Sequence, residues 1–187
     1  MGNTRTAVWQ HWDNIGLEYL ELTEVSSKDG VVIESNVIGF EDAIPFQMHY
    51  RLRCLENYQV FRVDMSLSGH RGLSLTRRHT GQWWGDQNER LPILDGCYDI
   101  DITATPFTNT LPIRRLEWQP GKSRSLEMVY IHIPELTIER ATQQYTCLEK
   151  NEQGSLFEFR QQDFSAILPI DADGFVQNYP NLFRRLV

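Results

Sequence analysis

Asp95, Asp99 and Asp101 stand at one end of a 24-residue central stretch, and Arg114 and Arg115 stand near the other. Between them runs Thr105-Pro-Phe-Thr-Asn-Thr-Leu-Pro112, rich in hydroxyls and amides. In an extended strand, side chains alternate between faces. Asp95, Cys97, Asp99, Asp101 and Thr103 then share one side, and Tyr98, Ile100, Ile102 and Ala104 share the other. A same-face ladder of carboxylates repels itself unless arginines, a metal or water lie beside it. Three chemistries fit: a salt-bridged clamp that orients a ligand, a divalent-cation site, or an acid–base pair. The clamp is favoured. Metal sites recruit further ligands, and no His-x-His or Glu-x-x-His pattern supplies them. An unpaired buried arginine is costly, so one of Arg114 and Arg115 is expected to meet the ladder. The other could grip a sugar hydroxyl or an anionic head group. Asn109 and its threonine neighbours would form a hydroxyl and amide rim, or else only a rigid turn.

Aromatic residues add a second kind of contact. Trp9, Trp12, Trp83, Trp84 and Trp118 are the five tryptophans. Adjacent Trp83 and Trp84 point opposite ways in a strand, so at most one is simply core. The other needs a cover, a ligand or a partner. His11, His49, His70, His79 and His132 are scattered. No Gly-x-Ser-x-Gly elbow, phosphate-binding loop or dinucleotide fingerprint is present. Asp171-Ala-Asp-Gly174 resembles the start of a calcium loop, but Leu182 stands where its closing Glu would be, so it reads as a turn.

These residues must be held by strands. Ile44 to Cys54 alternates apolar and polar, and Gln59 to Leu67 does the same except at Val60; Leu55-Glu-Asn57 links them as a hairpin. Thr6–Trp12 and Gly16–Leu22 read as strands split by Asp13-Asn14. Further strands are expected at Val31–Ile38 and Leu73–His79, after turns at Lys28-Asp-Gly30 and Ser68–Gly72. A short one follows at Gln82–Trp84. Pro112 can open a strand running to Trp118. Then come Ser125–Ile133, Thr137–Leu148, Leu156–Gln161 and Phe164–Ile170, with Tyr179–Leu186 as a short helix over one end. Turns recur at roughly ten-residue intervals, which marks an antiparallel meander. The fold class is therefore all-β: a large curved antiparallel sheet forming a half-open β-barrel, with at most short helices.

Length and composition bound the function. A chain of 187 residues reads as one domain over 1–187 with a real core. Its net charge of −7 argues against nucleic acid and against a polybasic membrane surface. Cys54, Cys97 and Cys147 are widely spaced, without a disulfide framework or zinc pattern. No signal peptide or membrane-spanning run is visible, so the expected location is the cytoplasm. Monomer and homodimer are both open.

Cys97-Tyr-Asp-Ile-Asp101, followed by Thr105-Pro-Phe-Thr-Asn-Thr-Leu-Pro-Ile-Arg-Arg-Leu116, resembles the signature of a bacterial family described as putative glycolipid-binding, formerly a domain of unknown function. Gly16-Leu-Glu18, Gly81-Gln-Trp83, Gln144-Tyr145, Asp173-Gly174 and Tyr179-Pro180 fit it as well. The resemblance covers nearly the whole chain. It implies a strongly curved half-barrel similar to the periplasmic lipoprotein carriers and their outer-membrane receptor, which hold acyl chains in an apolar cavity. Near its start, the sequence shows no export signal or lipid-attachment cysteine like theirs, so a periplasmic transport role is not expected.

The expected function is non-enzymatic binding of an amphipathic molecule, a glycolipid or acyl-chain ligand. Phe46, Met48, Tyr50, Phe61 and Met65 would line or close the cavity. Trp83, Asp99, Asp101, Asn109, Arg114 and Arg115 would orient the polar head, with no catalytic residue, metal or cofactor. One alternative is a hydrolase acting on a sugar or lipid through Asp99 and Asp101. Another is a structural or interaction module with no ligand.

Overall fold

The computed structural model describes residues 3–12, 15–25, 30–41, 44–68, 71–78 and 80–187. The expected turns at Asp13-Asn14, at Lys28-Asp29 and at Gly69-His70 lie outside these residues, as does His79. The strands are β1 (Asn3–His11), β2 (Leu17–Glu24), β3 (Val31–Glu41), β4 (Ile44–Cys54), β5 (Val60–Leu67), β6 (Arg71–Arg77) and β7 (Trp83–Trp84). After a 3-10 turn at Pro92–Leu94 come β8 (Asp99–Ile102), a second 3-10 turn (Phe107–Asn109) and α1 (Thr110–Arg115). The remainder is β9 (Ser123–His132), β10 (Thr137–Asn151), β11 (Gly154–Gln161), β12 (Phe164–Asp171), β13 (Asn178–Tyr179) and β14 (Phe183–Arg185).

Two sheets form. One has nine strands in the order β13-β14-β1-β2-β3-β4-β5-β6-β7; the other has five, β12-β11-β10-β9-β8. Neither closes on itself, and the expected half-open, all-β architecture is what the chain adopts. Alternation sets the inner face. Leu20 and Leu22 of β2, Ile33 and Val37 of β3, and Met48, Tyr50 and Leu52 of β4 are all buried. Val60, the break in the alternation, marks a β-bulge. Cys54 pairs with Val60 after Arg53 pairs with Arg62, so Val60 turns inward and Phe61 is only half-buried.

The central stretch departs from the expected strand–turn–strand. β8 runs parallel to β9, with Asp99 opposite Met128 and Ile102 opposite Ile131. Parallel neighbours need a crossover rather than a hairpin, and the Thr/Asn/Pro segment supplies it as the second 3-10 turn and α1. Pro112 opens no strand. It sits in the first turn of α1, where a missing N–H has no intrahelical acceptor to lose. The tail differs too. Asn178–Tyr179 and Phe183–Arg185 are strands rather than a helix, and β14 pairs with β1.

The crossover fills the half-barrel. Ile100, Ile102, Phe107 and Leu111 belong to one apolar cluster with Phe46, Met48, Tyr50 and Met65. Ile113 and Trp118 join a second cluster with Tyr145, Phe157 and Phe159 of the five-stranded sheet. The expected lining residues Phe46, Met48, Tyr50 and Met65 are 6% exposed or less. They are packed core, and the apolar space they were expected to bound is occupied by the chain's own crossover.

Candidate functional site

Sequence alternation puts Glu18 on the same face of β2 as Leu20 and Leu22, so a carboxylate enters the core. It is held from three sides. Ser35 Oγ donates to Glu18 Oε1 at 2.7 Å, Tyr50 OH donates to the same oxygen at 2.6 Å, and Thr105 Oγ1 donates to Oε2 at 2.6 Å. Burial dominates over these three bonds and pushes the Glu18 carboxyl up to about 7. The network ties β2, β3 and β4 to the start of the crossover, because Thr105 Oγ1 also accepts the Phe107 N–H at 3.0 Å.

The carboxylate ladder divides among three partners. Asp95 lies off the strand and pairs with Arg90. Asp99 is 1% exposed and takes a two-pronged bond from Arg115, Nε to Oδ1 at 2.9 Å and Nη2 to Oδ2 at 2.5 Å. Burial still drives its carboxyl upward, against the pull of Arg115. This pair joins β8 to α1, as expected for one of the two arginines. Arg114 goes elsewhere. Its guanidinium stacks 4.8 Å from the Tyr58 ring centre and reaches Glu24 at 3.7 Å. Trp83 is fully buried, and its indole N–H donates to the Cys97 carbonyl at 3.0 Å, so its ring is core. Trp84, the outward neighbour, lies under Arg78 at 3.8 Å.

Asp101 heads a second buried network. Its Oδ1 accepts from Thr108 Oγ1 at 2.7 Å and its Oδ2 from Gln143 Nε2 at 2.6 Å. Gln143 Nε2 also reaches Gln161 Oε1 at 2.9 Å. Tyr145 OH donates to Asn109 Oδ1 at 2.8 Å, with Gln143 Oε1 3.2 Å away, and Asn109 Nδ2 donates to the Pro106 carbonyl at 3.0 Å. Burial raises the Asp101 carboxyl and the Tyr145 phenol above their usual values.

This second network floors a cleft of about 390 Å³. Asp101, Thr103, Thr105 and Asn109 come from β8 and the crossover; Tyr130 and Gln161 come from the five-stranded sheet. The wall is aromatic. Phe159, Phe164 and Tyr179 have ring centres 6.1 Å apart in each pairing, and Phe183 continues the row 6.3 Å from Tyr179. Phe164 is 42% exposed, so its ring is open to a ligand. Burial, then Asp101 and Tyr130, raise the Tyr179 phenol and keep it neutral. A separate cleft of about 330 Å³ holds Arg114, Tyr58, Trp118 and Lys150. The six residues expected to form one site therefore separate: Asp101 and Asn109 lie at the aromatic cleft, Arg114 at the other, Asp99 with Arg115 in a buried pair, and Trp83 in the core.

Asp101 and Asn109 were visible in the sequence. Glu18, Tyr145 and Tyr179 stood in stretches that carry the family resemblance but had no role of their own, Thr108 belonged to the expected hydroxyl rim, and Gln143, Phe159 and Phe164 were not singled out. Glu18 carried a usable signal, an acidic residue in the inward phase of a strand. Gln143 and Tyr145 carried a weaker one, sharing the inward phase of β10 with Cys147. The wall joins three separate strands and had no local signal.

Asp101 faces the cleft, whereas Asp99, one pleat along the same strand face, is covered by Arg115. These two do not stand across an open cleft in the manner of paired glycosidase carboxylates, ~5–9.5 Å apart. Among the described residues, no group of three or more His, Cys, Asp or Glu is placed to hold a metal ion. No helix among them is long and apolar enough to cross a membrane.

No curated protein matches the chain. A crystal structure of a DUF1089 family protein from Pseudomonas aeruginosa, at 1.80 Å resolution, is 32% identical. It matches with a TM-score of 0.77, over 90% of this chain and 92% of that one. The sequence model of the family described as "Putative glycolipid-binding" matches residues 6–185, nearly the whole length, and this chain belongs to that family.

Proposed function

We propose that the protein binds, without chemical change, an amphipathic molecule whose polyhydroxylated head enters the aromatic cleft above Asp101 and Asn109. The family's description supports a glycolipid as the ligand class. The observation that carries the reading is the pairing of an aromatic wall, open at Phe164, with a polar floor. Phe164 offers a face for the C–H side of a sugar ring, with Tyr179 packed beside it, and Thr103, Asn109, Asp101 and Gln161 offer hydroxyl, amide and carboxylate partners. The volume suits one sugar unit and the first carbons of its tail. The interior of the half-barrel is filled, so the reading moves the ligand from the expected apolar cavity to this surface cleft. Of the residues first expected to orient the head, Asp101 and Asn109 keep that role; Asp99 and Arg115 act behind them as a clamp. The half-barrel is read as a filled version of the lipoprotein-carrier architecture. Three buried, unpaired cysteines accord with the cytoplasm, and the acidic balance accords with a ligand other than nucleic acid.

Mass spectrometry of lipids extracted from the purified native protein is the first test, with a sugar-bearing lipid enriched over the cell extract as the expected result. The second is binding of n-octyl glucoside below its micelle concentration. Phe164→Ala should weaken binding about fivefold, by loss of about 1 kcal/mol of ring contact with the ligand, while the variant keeps a native circular dichroism spectrum and a cooperative unfolding transition. If no glycolipid is enriched and Phe164→Ala binds octyl glucoside as tightly as the native chain, the reading fails.

A further inference from the structure

The charges around the aromatic cleft are one-sided. Asp101 is the only ionisable acid or base among the described residues that line it, the two tyrosines aside; no Lys, Arg or His is among them. Burial raises the Asp101 carboxyl, and the bonds that its two oxygens accept from Thr108 and from Gln143 pull the other way, toward the carboxylate. The same bonds hold the group in position, so it cannot swing away from a ligand. Bases near the cleft do not offset it. His11 packs behind Phe183, with ring centres 4.5 Å apart, and burial lowers its proton affinity. His132 lies behind Tyr130 at 4.7 Å and is bonded to Glu139 at 3.0 Å. Arg115 is taken up by Asp99, Arg160, beside Gln161, is paired with Glu158, and Arg184, beside Phe183, is bonded to Gln10.

Resting on the binding reading above, we infer that this cleft selects an uncharged sugar head, and that Asp101 is the residue that rejects heads carrying phosphate, sulfate or carboxylate. An anion placed against the floor meets a fixed carboxylate in a partly desolvated space, with no cation to receive it. A neutral sugar meets the same carboxylate as a hydrogen-bond acceptor, and a charge-assisted bond to a hydroxyl is among the stronger ones available. The specificity thus comes from repulsion as well as attraction.

The test compares n-octyl glucoside with its 6-sulfate, which has the same tail, each titrated below its micelle concentration into the full chain. The glucoside is expected to bind at least tenfold more tightly. Asp101→Asn should narrow that ratio at least threefold. Gln162→Lys, on the exposed rim and outside the buried network, should narrow it too without touching the fold. Equal or tighter binding of the sulfate, still weakened by Phe164→Ala, would overturn the charge selection and leave the binding reading standing. Binding of neither, or binding that ignores Phe164→Ala, would overturn both.

Discussion

Glu18 couples the stability of the fold to pH. Its carboxyl titrates at about 7 in the folded protein against an ordinary 4.5. Below the ordinary value both states hold the proton, and the stabilising contribution is complete. As pH rises from 4.5 toward 7 the unfolded chain releases its proton first, so stability falls across that window, by up to about 3 kcal/mol. Glu18→Gln removes this dependence. Urea unfolding of both proteins from pH 4.5 to 8 should show the variant gaining on the native chain as pH rises; a constant difference would contradict the assignment. Asp99 and Arg115 behave differently, because here a charge is balanced by a charge. Arg115→Ala leaves Asp99 buried and unpaired and should cost about 3–5 kcal/mol at neutral pH, more than the double replacement Asp99→Ala/Arg115→Ala costs beyond Asp99→Ala alone. Equal costs would mean the pair contributes nothing as a pair. Asp99 and Arg115 could be matched in the sequence, since only two arginines follow the ladder closely. Asp101 could not be matched with Gln143, because nothing local links residues so far apart.

At the scale of elements, the crossover from β8 through α1 is what the two sheets close upon. It is pinned to the nine-stranded sheet through Thr105 and Glu18, to the five-stranded sheet through Asp101, Thr108 and Gln143, and to itself through Asp99 and Arg115. Most strands of both sheets were legible because alternation has a period of two and the inner face is mostly apolar. The crossover was not. Two prolines and a run of threonines weaken any helical pattern, and the parallel pairing of β8 with β9 depends on contacts remote in sequence. The turn after β12 supports the helix from outside. Gly174 has φ +89°, and a Cβ there would stand 2.7 Å from Arg114 Cδ. Gly174→Ala should therefore cost about 1–2 kcal/mol, through both backbone strain and displacement of Arg114 from Tyr58. Thermal unfolding monitored by circular dichroism would check it; an unchanged midpoint would mean that the turn and Arg114 yield without cost.

For the whole molecule, the account turns the half-barrel from a container into a scaffold. The inner face of the nine-stranded sheet is filled by the crossover, and the ligand-facing surface lies where β8, the crossover, the five-stranded sheet and the tail strands β13 and β14 converge. Asp101 and Asn109 marked one side of that surface in the sequence. Phe159, Phe164 and Tyr179 could be assigned to it only once the fold had brought three strands together. The most direct measurement is a backbone and methyl NMR titration of the full chain with n-octyl glucoside below its micelle concentration. The account predicts shifts confined to Asp101, Asn109, Gln161, Phe164 and Tyr179 and their neighbours, with the Met48 and Met65 methyls unmoved. Shifts centred on Met48 and Met65, as for a ligand entering the interior, or no saturable shifts at the cleft, would contradict it.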